Sequence, residues 1–121
     1  MVILADTSVW IDHFKRPDQT LQHLIQSGKL CGHPFVTGEL AAGSLHVRHR
    51  MIYLLRSIPQ LDQVQEEHFY ELVETAQLNG LGLSFVDIHL LAAAKMGKVL
   101  LWTRDKRLHA RAGIMGLAFE E

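Results

Sequence analysis

The stretch that most constrains this chain is its opening, Val2-Ile3-Leu4-Ala5 followed at once by Asp6-Thr7-Ser8. Four apolar residues cut off by polar ones read as a short buried strand. An apolar pattern resumes at Val9, Trp10 and Phe14, and Thr7 or Ser8 is suited to N-cap a helix starting near Val9. Asp6 is thereby expected where a buried strand ends. In open α/β sheets ligands bind outside the carboxyl ends of the strands, which puts this aspartate on the rim where function resides. A mere turn or cap residue would occupy the same position, and the opening stretch leaves both roles open.

The remainder alternates between helical and extended patterns. Val9 to Phe14 forms a short helix, ended by Arg16-Pro17-Asp18 because proline disfavours helix in the residue before it. Asp18 caps a second helix carrying Leu21, Leu24 and Ile25, and Gly28 stops it. Lys29 to His33 is a weak strand, and Pro34 suits the first turn of a helix running to Gly43. A fourth helix is predicted over about Leu45 to Ser57, a strand around Leu61 to Val64, and an amphipathic helix over Glu66 to Asn79. Ser84-Phe85-Val86-Asp87 has the form of a capping box introducing a helix from Val86 to Met96. Lys98 to Thr103 is the second good strand, Asp105 to Ala112 a last short helix, and Ile114 to Phe119 an edge strand. This alternation predicts a single α/β domain over residues 1–121 with a mostly parallel sheet covered on both faces.

With 121 residues, 48% of them hydrophobic, the chain supports one core. No apolar run approaches the roughly 20 residues of a membrane span. Cys31 is the sole cysteine, which excludes an internal disulfide and a thiolate metal cluster. Met1 leads directly into a strand with no signal-like n-region or h-region, so the cytoplasm is the expected compartment and no membrane is involved. The net charge of −1 does not advertise a nucleic-acid binder. Basic residues nevertheless cluster at Lys15-Arg16, at Arg48-His49-Arg50, and at Arg104, Lys106 and Arg107 with His109 and Arg111. Such patches matter to a phosphate backbone more than the total does, although solvated helix faces look the same.

Among the 13 acidic residues, four stand beside apolar stretches that should be buried. Asp6 follows the first strand, Glu39 lies in a small apolar helix, Asp87 begins the most apolar helix, and Asp105 follows Val99-Leu100-Leu101-Trp102. Two strand ends and a helix start can share one rim of a parallel sheet, and Glu39 can point inward from an adjoining helix. Carboxylates brought close repel, and hard cations such as Mg²⁺ or Mn²⁺ compensate them while leaving positions for a phosphate. Thr7, Ser8 and Thr103 are suited to orient a carboxylate or a water beside it. Each acidic residue also has a simpler role available: Asp87 and Asp105 as helix caps, Glu39 as partner of a base such as Arg48.

Four segments carry a family resemblance: Asp6-Thr7-Ser8-Val9-Trp10-Ile11, Gly38-Glu39-Leu40, Val86-Asp87-Ile88-His89 through Ala94, and Trp102-Thr103-Arg104-Asp105-Lys106-Arg107-Leu108. In this order they resemble the successive motifs of the PIN-domain family, and more narrowly of VapC-type toxins of bacterial toxin–antitoxin pairs. The resemblance runs nearly end to end. It implies a three-layer PIN-like fold, a short mostly parallel sheet flanked by helices, and a metal-dependent endoribonuclease. It maps a catalytic and metal-binding quartet onto Asp6, Glu39, Asp87 and Asp105, with the hydroxyl after the first aspartate at Thr7 or Ser8. It further implies Mg²⁺ or Mn²⁺, an RNA substrate, a small antitoxin protein lying across the acidic site, and a homodimer.

Such a site would hydrolyse RNA to a 3′-hydroxyl and a 5′-phosphate, with Arg104, Lys106 and Arg107 expected on the RNA backbone because they flank Asp105. No histidine is needed as base: the eight are scattered without metal-ligand spacing, and His33 and His89, the two nearest the site, are expected in structural or surface roles. A catalytically silent PIN-like module binding RNA or a partner is the alternative. A receiver-type signalling domain does not fit, since Asp6 is followed by hydroxyls and no aspartate follows a convincing strand near mid-chain.

Overall fold

The computed structural model describes residues 1–43 and 48–121, Arg48 by its backbone only. Its elements are β1 (Ile3–Ala5), α1 (Thr7–Lys15), α2 (Gln19–Gln26), β2 (Leu30–Cys31), α3 (Pro34–Ala42), α4 (Arg48–Ser57), α5 (Glu66–Thr75), α6 (Phe85–Gly97), β3 (Leu100–Trp102) and α7 (Lys106–Ile114). The three strands form a parallel sheet in the order β2-β1-β3. Ile3 lies opposite Leu30 and Leu100, and Leu4 opposite Cys31 and Leu101. The α/β class, the parallel sheet and its flanking helices agree with the sequence pattern.

The opening stretch owes its place at the centre to burial on both sides: Ile3, Leu4 and Ala5 are all buried, as a strand covered on both faces requires. The core joins them to Val9 and Trp10 of α1, Leu21 of α2, Val36 and Leu40 of α3, and Leu101 and Trp102 of β3. Helix α6 is buried continuously from Ile88 to Ala94, the mark of a helix enclosed by its neighbours rather than laid on a surface. It packs against α5 and β3.

Two expected strands are not formed. Around Leu61 to Val64 the ladder is a single bridge, with Gly32 N donating to Pro59 O and Leu61 N donating to Gly32 O. Beyond it, Leu61 leans on Gly97 of α6, where a Cβ would stand 2.8 Å from its Cδ2, and Val64 enters the core. The two apolar side chains are thus used against helices, and no second ladder residue follows. At the other edge α7 continues through Ile114, and only Ala118 bridges, opposite Leu101.

Helix boundaries shift for local reasons. The first helix starts at Thr7 because Asp6, not Thr7 or Ser8, is its cap. Helix α5 stops at Thr75, short of Asn79, and Gln77 has a positive φ of 54°. The predicted Leu45-to-Ser57 helix is present from Arg48; Leu45 to Val47 lie outside the described residues. Asp18 caps α2 through Leu21 N, as expected.

The strand order fixes where a site can be. The chain leaves β1 toward β2 on one side and later returns past it to β3 on the other. Crossovers of parallel strands are right-handed, so the segments after β1 and β3 diverge to opposite faces of the sheet. The crevice between those two carboxyl ends is the position where open α/β sheets bind ligands. Asp6 and Thr103 are the residues that stand there.

Candidate active site

Asp6 is a buried aspartate at the end of β1, and both of its oxygens accept hydrogen bonds. Oδ1 accepts from the Ser8 amide at 2.7 Å, the bond by which Asp6 N-caps α1, and also from the Ser8 hydroxyl. Oδ2 accepts from the Thr103 hydroxyl at 2.5 Å, across 97 residues of sequence. Thr103 Oγ1 in turn accepts from Asp105 N at 3.1 Å, and Ser8 Oγ accepts from Arg104 N at 3.0 Å. Two hydroxyls therefore tie the end of β1 to the end of β3. The sequence offered both hydroxyls, with that of Thr7, as groups to orient a carboxylate or a water; their tie between the two strand ends was not foreseen.

Burial raises the Asp6 carboxyl above its ordinary range, the bonds from Ser8 and Thr103 oppose that rise, and the charge of Asp87 adds to it. Asp87 is accordingly within electrostatic reach of Asp6. It occupies the third position of α6, where Ser84 Oγ accepts from Asp87 N and Asp87 Oδ2 accepts from Ser84 N, each at 3.0 Å. The capping box is as the sequence predicts. Glu39 reaches the same rim from α3: its Oε1 accepts from the Thr7 hydroxyl at 2.6 Å. It is exposed, at the mouth of the crevice rather than inside it. Asp105 caps α7 through Leu108 N at 3.0 Å and is also exposed.

The cap roles and a metal-binding role do not compete. Among the described hydrogen bonds, Glu39, Asp87 and Asp105 each give one carboxylate oxygen to local structure and keep the other. The donor set is all oxygen, and the side chains bonded to Asp6 are hydroxyls, not a lysine or arginine. That chemistry suits a hard cation. Among the described residues no three His, Cys, Asp or Glu side chains are grouped closely enough to hold one ion. Mg²⁺ commonly takes only one or two carboxylates and keeps its waters, and Asp87 is the acidic side chain whose charge acts on Asp6.

The basic residues divide. Arg104 donates to Asp12 at 2.8 Å, to Asp18 at 2.7 Å and to Glu121 at 2.5 Å, and its guanidinium stands 5.6 Å from the Trp102 ring centre. Glu121 above all, against burial, and then Asp12 and Asp18 raise its pKa further. Its charge is shared among three carboxylates at the protein surface. Lys106 and Arg107 are exposed on the first turn of α7. Arg107 lies over Gly82, which adopts φ +78° and leaves no room for a Cβ beneath the guanidinium. The Arg48 side chain, the suggested partner of Glu39, lies outside the described residues.

His33 and His89 are buried as structural side chains are, but they are not fully satisfied: His33 Nε2 and His89 Nδ1 have no hydrogen-bond partner among the described residues. His33 Nδ1 caps α3 by accepting from Phe35 N at 3.0 Å. Burial, with the neighbouring His89, pushes His33 down to about 4, and burial lowers His89 as well. Around His89 lie Phe35, Phe69 and Phe85, with ring centres 4.9, 4.6 and 4.5 Å away. The sequence reading missed this cluster; its signal was an aromatic residue at the start of each of two helices, Phe35 and Phe85.

A PIN domain model matches residues 3–114. The chain belongs to the PIN-domain family. It is 40% identical over 121 residues to Ribonuclease VapC32 in two strains of Mycobacterium tuberculosis, an alignment covering 99% of this chain and 98% of that protein. Two solved structures share the PIN-like fold at 19% identity. PAE2754 from Pyrobaculum aerophilum superposes with a TM-score of 0.63, over 92% of this chain and 79% of its own. FitAB bound to an IR36 DNA fragment gives 0.66, over 93% and 91%. The family match spans Asp6, Glu39, Asp87 and Asp105 alike.

Proposed function

We propose that this PIN domain is a metal-dependent endoribonuclease, the toxin of a toxin–antitoxin pair, and that Asp6, Glu39, Asp87 and Asp105 form its catalytic site. The observation that carries the reading is Asp6: a buried carboxylate at the sheet's switch point, raised by burial and by Asp87, and bonded only to hydroxyls and an amide. A buried charge without a partner is costly. A bound cation would offset that cost, and the 40% identity to a VapC ribonuclease supports RNA as the substrate class.

Asp6 and Asp87 would hold Mg²⁺ or Mn²⁺, which when bound supplies Lewis acidity toward a phosphate oxygen and toward water. Ser8 and Thr103 keep the Asp6 carboxylate in one orientation. Glu39, exposed at the mouth with Oε1 on Thr7, has Oε2 available to take a proton from the attacking water. The water oxygen attacks phosphorus in line with the 3′-oxygen; that P–O bond breaks, the departing 3′-oxygen takes a proton from solvent water, and a 3′-hydroxyl and a 5′-phosphate are left. Lys106 and Arg107 are the exposed bases beside Asp105 that would hold the RNA backbone. The proposed partners are a small antitoxin and a second copy of the chain. No helix among the described residues is long and apolar enough to cross a membrane; cytoplasmic residence is part of this proposal.

The test is incubation of the purified protein with total RNA in Mg²⁺, with mapping of new 5′ ends, beside Asp6→Asn and an EDTA control. New 5′-phosphate ends that need both the metal and Asp6 are expected. RNA binding without cleavage in Mg²⁺ and Mn²⁺ would identify a silent binding module instead, and cleavage in full chelation would refute the carboxylate–metal chemistry.

A further inference from the structure

Phe85 is an anomaly on this rim. It is a large apolar side chain left 60% exposed at the first position of α6, two residues from Asp87. It is also firmly mounted. Its ring centre lies 4.5 Å from His89, 5.1 Å from Phe69 and 6.1 Å from Phe35, at tilted or edge-on angles typical of favourable aromatic pairs. The capping box of Ser84 and Asp87 fixes the backbone on which it stands.

Two helices each bring one ring and one carboxylate to this end of the sheet. On α3, Phe35 and Glu39 are four residues apart and share a face, one turn or about 5.4 Å along the axis. On α6, Phe85 and Asp87 both belong to the first turn. Phe35 and Phe85 meet across the gap between the helices. An aromatic ledge thus runs beside the acidic crevice. It is uncharged at neutral pH, because burial keeps His33 neutral beneath it. An anionic phosphate has nothing to pair with there, whereas a flat π-face does.

We infer that Phe85, backed by Phe35 and the rings beneath, is a stacking platform for an unpaired nucleobase next to the cleaved phosphodiester, so that the substrate is single-stranded at that position. This rests on the ribonuclease reading above. A strand whose phosphate lies on the carboxylates passes the ledge with its neighbouring base, and base–aromatic stacking is tolerant of sequence because every base presents a π-face. The ring thereby favours splayed-out, single-stranded segments over duplex, whose bases are already stacked on each other.

The experiment measures fluorescence anisotropy of the full chain carrying Asp6→Asn, in Mg²⁺, with a short labelled oligoadenylate and with the same backbone made abasic. Phe85→Ala and Phe85→Leu are expected to weaken oligoadenylate binding on the order of tenfold, Phe85→Trp to preserve it, and all four proteins to bind the abasic strand alike. Leucine keeps the ring's apolar contacts below, so a loss shared by alanine and leucine but absent in tryptophan reads stacking rather than folding. If the parent cleaves RNA while the Phe85 variants bind both strands as the Phe85 protein does, the platform is overturned, the ribonuclease stands, and the ring faces a protein instead. If the parent neither binds nor cleaves RNA, both readings fall together.

Discussion

Removing one hydroxyl, that of Thr103, tests whether Asp6 is a charged group held by neutral donors. Thr103→Val conserves shape and deletes two bonds: Thr103 Oγ1 to Asp6 Oδ2 at 2.5 Å and Asp105 N to Thr103 Oγ1 at 3.1 Å. A hydrogen bond to a charged group contributes about 1.5–3 kcal/mol and an ordinary one about 1 kcal/mol. Both ends of the first bond are buried, Asp6 at 6% and Thr103 at 5% exposure, so solvent does not replace the lost donor. The expected loss is about 2–4 kcal/mol at neutral pH, a fall of roughly 10 °C or more in Tm for a domain of this size. The sign with pH follows from proton binding. Asp6 has a folded pKa above its unfolded one, so the folded state binds more protons and stability declines as pH rises from the unfolded value through the folded one. Valine takes away a donor that favours the ionised form, raising the folded pKa further. The mutational penalty is therefore smallest below the unfolded pKa, about 1 kcal/mol, and reaches its full size only above the mutant's folded pKa. Urea or thermal melts of parent and variant in EDTA, at acidic and neutral pH, measure this directly. A penalty independent of pH, or one below about 1 kcal/mol at neutral pH, would refute the assignment of a buried ionised Asp6.

Further outcomes follow from the same site. In EDTA, Asp6→Asn should stay within about 1 kcal/mol of the parent at neutral pH, since it relieves the charge that burial and Asp87 disfavour while leaving one hydroxyl hydrogen of Thr103 unpaired; millimolar Mg²⁺ should then raise the parent's Tm more than the variant's. Arg104→Gln should cost about 1–2 kcal/mol in denaturant melts by freeing Asp12, Asp18 and Glu121, most of it lost in high salt. Charge reversal of Lys106 and Arg107 should reduce the salt slope of RNA binding by about 0.7 per lost phosphate contact, with thermal stability unchanged; an unaltered slope would leave these two as solvated surface.

What the sequence shows of this protein is what short-range chemistry decides. The Ser84–Asp87 box, the Asp18 cap and the strand that ends at Asp6 are each written within a few consecutive residues. Leu61 to Val64 and Ile114 to Phe119 have strand-like composition, yet only Gln60, just before the first, and Ala118, within the second, bridge, because a neighbouring helix or turn claims the other residues. No local pattern could report that competition. The four acidic positions stood out by their apolar flanks, but their hydrogen bonds did not: no local pattern told that Glu39, Asp87 and Asp105 each use one oxygen among the described hydrogen bonds while Asp6 uses both. The ion pairs of Arg104 were not legible because its partners at 12, 18 and 121 are remote in sequence. The His33 cap escaped notice since histidine is not among the usual N-cap residues, although Pro34 marked the helix start.

The pairing of β1 with β3 also orders events in time. Ile3 finds its partner at Leu100 and Asp6 finds its donor at Thr103, so closing the central ladder spans nearly the whole chain, and contacts of such sequence separation form slowly. A ribosome making this protein releases Asp6, Glu39 and Asp87 well before Thr103. Until the final fifth of the polypeptide has emerged, β1 has a neighbour only on its β2 side and one of the two hydroxyl donors of Asp6 does not yet exist. Synthesis therefore carries its own delay: the site is assembled only as translation of the message nears its end, and an abortive fragment stopping short of β3 is born without it.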